Sequence, residues 1–175
     1  MICKSVVTDL GLGDDGMARV QMVVFEMNGT EFALEAATVH GIIRANRVNI
    51  QVVPGTLGNM EGMINWRDNV RYVFNLRKKL KLENQVINDE SKIIMVQTNE
   101  RIVGCLVDEV TDIVVFNSEE IEAAPSFIQE AESKFIIGIG KVEERLIVML
   151  DMDHLLTGVE INGLALENLQ NYVPA

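Results

Sequence analysis

The residues of this chain best suited to chemistry are few and scattered. His40 and His154 are its two histidines, and Cys3 and Cys105 its two cysteines. There is no CxxC pair, and Asp151-Met152-Asp153-His154 has no second histidine near it in sequence. Adjacent residues in one turn rarely converge on one ion. That run reads instead as a helix cap, where a carboxylate accepts orphan backbone N–H groups. Gly11-Leu12-Gly13-Asp14-Asp15-Gly16 satisfies GxGxxG. A dinucleotide fingerprint needs a strand before it and a helix after it. Here a strand-like run follows from Val20, and Asp14 and Asp15 would repel a phosphate. Asp9, Asp14 and Asp15 also lack the alternating ligands and distal Glu of a calcium loop. No serine sits in a GxSxG elbow, and nothing favours a hydrolase assembled from Asp108, His40 and Ser126. The expectation is a chain with no catalytic set, no cofactor and no metal.

Arg67 is the polar residue with the most specific placement. It stands beside Trp66 at the start of a hairpin turn, flanked by Asp68 and Asn69. An arginine held out by a rigid turn suits interface pairing. The alternative is an ordinary turn arginine paired with Asp68.

The elements that must position it are short. Val20–Met27 is strand-like, and Asn28-Gly29 is a strong hairpin signal because both positions accept positive φ. Glu31–Leu34 is the return strand. Residues 36–43 fit helix or strand equally. Val48–Val53 reads as a strand ended by Pro54-Gly55. Gly62–Trp66 and Val70–Leu76 form a second hairpin around Asp68-Asn69, and residues 77–82 close as a helical turn. Glu83–Ser91 is a polar linker. Lys92–Thr98 and Arg101–Asp108 form the next hairpin around Asn99-Glu100, with Glu109–Phe116 continuing its second strand. Ile136–Val142 and Arg145–Leu150 turn at Glu143-Glu144, and Asp151 or Asp153 caps a last turn ended by Gly158. Many short strands with turn signals between them read as an all-β protein.

That order occurs twice. MVVFEMNGTEFALEAATVHGI from Met22 aligns without a gap to IIMVQTNERIVGCLVDEVTDI from Ile93. GMINWRDNVRYVFNLRKKL from Gly62 aligns to GIGKVEERLIVMLDMDHLL from Gly138. What recurs is apolar periodicity and turn residues, not acids, bases or nucleophiles. Two pseudo-repeats, at about 20–82 and 92–157, read as two small barrels. Residues 1–19 are expected as a flexible leader and 159–175 as a tail. The copies differ at Glu119–Ser133, where the second is longer.

Composition narrows the partners. A net charge of −11 over 175 residues argues against nucleic acid and anionic membrane surfaces. The basic run Arg77-Lys78-Lys79-Leu80-Lys81 reads as a solvated helix face. Cys105 lies in an apolar strand, where a buried thiol is usual. No run approaches the ~18 apolar residues of a membrane span, and no signal-peptide core is present. The chain reads as cytoplasmic.

Several motifs together resemble the CheW-like domain family. They are Gly62-x-Ile64-Asn65-x-Arg67 with Val73-x-x-Leu76-Arg77, and Val103-Gly104-x-Leu106-Val107-Asp108-x-Val110-x-Asp112-Ile113. Gly138-Ile139-Gly140 and Leu146–Leu156 fit the same pattern, so the resemblance runs from about Val20 to Gly158. It implies two SH3-like five-stranded β-barrels sharing a hydrophobic core, with short helices. It also implies a non-catalytic adaptor that couples a CheA-type histidine kinase, through its regulatory domain, to the cytoplasmic tips of methyl-accepting chemoreceptors in membrane-associated arrays. Carried over by position, Val39, Ile42, Gly62, Arg67, Gly104 and Val110 are the implied partner-binding residues. With no kinase or receiver attached, the expected member is the single-domain adaptor. Four positions depart from the family pattern: Asp68 for Gly, Tyr72 for Pro, Asn75 for Asp, and Gly41 for Glu. A paralogue binding only the kinase, or serving a non-chemotaxis pathway, is the alternative within the fold. A small acidic enzyme or ligand-binding β-barrel is the alternative outside it, and a pocket of convergent titratable groups would mark it.

Overall fold

The computed structural model describes residues 18–55, 58–83, 85–124 and 134–156. The GxGxxG run, Cys3, Ser126, Gly158 and nearly all of the expected leader and tail lie outside them. Arg19, placed in the leader by sequence, opens the first strand.

The chain forms β1 (Arg19–Met27), β2 (Thr30–Glu35), β3 (Val39–Arg44), β4 (Met60–Trp66), β5 (Asn69–Asn75) and a short helix α1 (Leu76–Lys79). It continues with β6 (Lys92–Gln97), β7 (Ile102–Val107), β8 (Glu109–Asn117), β9 (Ile121–Ala123), β10 (Ile136–Val142), β11 (Arg145–Leu150) and α2 (Met152–Leu155). One sheet has the order β8-β1-β2-β11-β10-β9 and the other β3-β6-β7-β5-β4.

Neither sheet is built from one copy of the repeat. The β1–β2 hairpin leaves the first copy to join β8–β11 of the second, and the β6–β7 hairpin joins β3–β5 of the first. Five strands of each sheet nevertheless follow the same pairing order. Phe25 opposes Val110 as Val96 opposes Val39. Both pairs are followed by the same bulge, after which Val24 opposes Asp112 and Met95 opposes Gly41. Val73 lies beside Gly104 in parallel as Met149 lies beside Ala33. The repeat is therefore real at the level of register, but the copies exchange their first hairpins.

The exchange happens where sequence showed only continuity. Residues 36–38 form a single 3₁₀ turn that carries the chain from β2 to β3 in the other sheet. Asp108 breaks the expected long strand into β7 and β8, which belong to different sheets. Val48–Val53 makes no strand; only Gln51 bridges Met63. That bridge is the counterpart of Glu122 against Ile139, where β9 supplies a sixth strand in place of the expected five.

Alternation explains the core. Strand residues of one parity face one side of a sheet. Met22, Val24, Phe116, Ile147 and Met149 fill one barrel, and Ile64, Val73, Ile93, Met95 and Leu106 fill the other. The opposite faces meet. Phe25, Met27, Phe32 and Leu34 of one sheet pack with Phe74, Ile94, Val96, Val103 and Cys105 of the other in the largest cluster. Barrel volumes compensate between copies. A Cβ on Gly140 would lie 2.6 Å from the Phe116 ring, whereas the matching pair in the sister barrel is Ile64 with Ala45.

The two helices are held alike. Asn75 Oδ1 accepts from the Arg77 and Lys78 N–H groups, and Asp151 Oδ1 accepts from Asp153 N–H. The amide at Asn75 also donates to Glu61 at 3.0 Å, which a carboxylate there could not do. The expected solvated basic face is corrected at Arg77, which is 8% exposed. Its guanidinium donates to both Asp108 oxygens, to the Glu83 carbonyl at 2.7 Å and to Gln85 at 2.6 Å. The hydrogen bond to Asp108 raises the Arg77 pKa. Asp108 in turn accepts from Asn28 N–H at 3.0 Å. One ion pair thus ties α1, the inter-copy linker and the β1–β2 turn together.

Cys105 is fully buried, and burial raises its thiol pKa. The folded protein therefore keeps the thiol protonated while the unfolded chain ionises near 9.0. Its contribution to stability is complete below that pH and falls above it by about 1.4 kcal/mol per pH unit. Denaturant titrations from pH 8 to 10 should show a steeper decline for the parent than for Cys105→Ala. Equal slopes would contradict the assignment.

Candidate functional site

The β4–β5 turn lies one residue earlier than the expected Asp68-Asn69, so Arg67 is within it. Trp66 opposes Asn69, leaving Arg67-Asp68 as the two turn residues. Both lie in the left-handed region, at φ 50° and 62°. That pairing of positive φ values is what a two-residue hairpin requires to match strand twist. It is unfavourable for L-residues other than Gly, Asn and Asp. Asp68 bears part of this strain, and Arg67 bears more. The Asn69 amide steadies the turn by donating to the Arg67 carbonyl at 2.9 Å.

Arg67 forms no ion pair with Asp68. Its guanidinium carbon instead lies 4.3 Å from the Trp66 ring centroid. A cation over an indole face is attracted by about 0.5–1 kcal/mol at an exposed site. The indole in turn covers Gly41, where an added Cβ would sit 3.2 Å from the ring. The departure at Gly41 therefore has a structural counterpart: Trp66 occupies the space that a larger side chain there would need. The exposed charge is presented by a stack of Gly41, Trp66 and Arg67. Replacing Asp68 with Gly should remove residual strain and stabilise the protein by about 0.5–1 kcal/mol. A rise in thermal midpoint, with the Arg67–Trp66 stack kept, is the expected reading.

The other five implied residues divide into two groups. Val39 and Val110 are half-buried against the shared core. They occupy matching positions, opposite Val96 and Phe25. Ile42 opposes Ile94, so it faces the same side, and it is 38% exposed. Val39 and Val110 pack at the seam where the barrels meet, and Ile42 lies on the same face of its sheet. Gly62 and Gly104 present no surface, since both are buried. A Cβ at Gly62 would land on the Gln51 carbonyl oxygen, and one at Gly104 would lie 2.8 Å from Ile93. Their absence of side chain lets strands approach closely. Arg67 is not in the seam; the structure sets it at a hairpin tip.

Sequence reasoning passed over two residues. Trp66 carries Arg67, and its neighbour in sequence was the only clue. Ile113 is the repeat-mate of Ile42, opposes buried Val23 and is 54% exposed. The repeat alignment already paired it with Ile42.

The exposed chemistry elsewhere is structural. Arg145 bridges Glu31 at 2.7 Å and Asp112 at 3.4 Å. Its pKa is raised, first by the hydrogen bond to Glu31. His154 Nδ1 lies 2.6 Å from Asp151 Oδ2 on the surface. Among the described residues no group of three His, Cys, Asp or Glu side chains could hold a metal ion. None of their helices is long and apolar enough to cross a membrane.

Two SH3-like barrels sharing a core, with a charged hairpin tip and an apolar seam, define a two-barrel interaction domain. The chain belongs to the CheW-like domain family, whose model matches residues 21–160. It is 35% identical to the chemotaxis protein CheW of Bacillus subtilis over 136 residues, 78% of this chain and 86% of that one. The chemotaxis protein CheW of Klebsiella aerogenes is 23% identical over 141 residues, covering 81% and 84%. Among solved structures, the scaffolding protein TtCheW of Thermoanaerobacter tengcongensis superposes with a TM-score of 0.73 at 25% identity, covering 81% of this chain and 94% of that one.

Proposed function

We propose that this chain is a chemotaxis adaptor that couples a CheA-type histidine kinase to chemoreceptor tips, without chemistry of its own, at membrane-associated receptor arrays. The observation that carries the reading is Arg67, exposed on a strained two-residue turn and braced by Trp66. Strain at an exposed, rigid position is a mark of function, and a preorganised arginine is suited to an interface. The apolar seam around Val39, Ile42 and Val110 offers the second element, a place for an amphipathic receptor helix. Gly62 and Gly104 support this surface from beneath by setting strand approach. The relatives named chemotaxis proteins, and the one named a scaffolding protein, support the same role.

The test is co-purification of the chain with a cognate kinase regulatory domain and with a receptor-tip fragment. Capture of both fits the adaptor reading. Capture of the kinase domain alone would assign it to the kinase-only branch of the family.

A further inference from the structure

The two barrels differ at one edge, and the difference leaves a built opening. In one barrel the outer edge of β10 is paired over Gly138–Gly140 by β9, Ile121–Ala123. In the sister barrel the matching edge, β4, has a single bridge between Gln51 and Met63. Both bonds of that bridge use the Met63 N–H and carbonyl. Asn65, two residues on, therefore turns its own N–H and carbonyl to the same outer edge. Past the bridge the chain at Arg47–Asn49 draws away from β4. The gap is a trench of about 470 Å³, lined by Arg47, Val48, Met63, Asn65 and Val70 among others. Val70 is 63% exposed at its wall.

The charge beside the trench is unusual for a chain of net charge −11. Arg44 and Lys92 stand directly opposite each other across β3 and β6. Like charges so placed repel. Arg47 joins them in a shallow hollow that adjoins the trench. Asp89 and Glu90 also border that hollow, so three cations there face two carboxylates, and Lys92 Nζ donates to the Glu90 carbonyl at 2.7 Å. The sister barrel shows what such an edge accepts. Its β9 is Ile121-Glu122-Ala123, an acidic residue between apolar ones, and Glu122 pairs with Lys141 of β10 at 2.5 Å.

We infer that the β4 edge is a docking site for an extended acidic–apolar segment of a partner protein, added as a strand against Asn65 with its carboxylates toward Arg44, Arg47 and Lys92. Main-chain bonds supply affinity and the alternation supplies register. The site lies on the same β4–β5 hairpin as Arg67 but uses its outer edge and not its tip.

The probe is a peptide of residues 117–124 of this chain, the segment that fills the sister edge. In amide-shift titrations of the full chain, peptide raised to millimolar concentration should move Met63, Asn65 and Val70. The Arg44→Glu/Arg47→Glu variant should bind about tenfold more weakly. Asn65→Pro, which removes the outward donor from an edge strand, should abolish the response while distant amides keep their shifts. No movement at β4, or unchanged binding by the charge-reversed variant, would overturn the site. The same shifts growing with protein concentration alone would assign the edge to a second copy and overturn the partner.

Discussion

Asp108→Ala should unfold this protein at markedly lower denaturant than the parent, with a loss of about 3 kcal/mol. Asp108 neutralises Arg77, which is 8% exposed, and accepts from the Asn28 N–H in the β1–β2 turn. Removing the carboxylate leaves a guanidinium with its principal partner gone and a turn amide unbonded. Breaking a buried pair from one side costs about 3–5 kcal/mol, and the partial exposure of Asp108 sets the value at the low end. Arg77→Met removes both the charge and its demand for a partner, so it should cost less than Asp108→Ala. If the two variants were equal, the penalty would come from lost contacts and not from an unpaired charge. The effect should also be shared by both barrels, because Asp108 stands where β7 of one sheet passes to β8 of the other.

Arg67→Glu should cost no more than about 1 kcal/mol of stability, the scale of the lost stacking on Trp66, and sharply weaken receptor coupling. The side chain is exposed and stacks on the Trp66 face. If Arg67 pairs with the receptor as proposed, reversing its charge replaces attraction with repulsion. A loss of about 2 kcal/mol, roughly 30-fold in affinity, is typical for an arginine that anchors an interface. Arg67→Lys should recover part of the binding, since charge remains but planarity over the indole is lost. A kinase-only paralogue would show no receptor binding to lose.

These two sites differ in how far the sequence disclosed them. The Asn28-Gly29 turn, the Glu143-Glu144 turn and the capping by Asp151 were legible because each depends on local chemistry. The repeat was legible as pattern, and several matching residues fall at matching register positions in the two sheets. Its consequence was not legible. Which barrel a hairpin joins is decided at residues 36–38 and at Asp108, and neither crossover has a signal of its own in propensity or periodicity. Val48–Val53 had the composition of a strand, yet Gln51 alone finds a partner there. Arg77 read as surface because its neighbours are lysines; its burial depends on Asp108, distant in sequence. At the candidate site Arg67 was legible from motif and turn position. The indole beneath it and the fit of Gly41 under that ring were not, because they join β4 to β3 across the ends of one sheet.

The central claim is that one chain holds a kinase and a receptor together through separate surfaces. The most direct measurement is a mixture of the chain, a cognate kinase regulatory domain and a receptor-tip fragment, analysed by sedimentation velocity. A ternary species should form that the kinase domain and receptor fragment do not form without the chain, and Arg67→Glu should reduce it to the kinase-bound binary complex. Failure to bind either partner, at concentrations where the chain is folded, would contradict it.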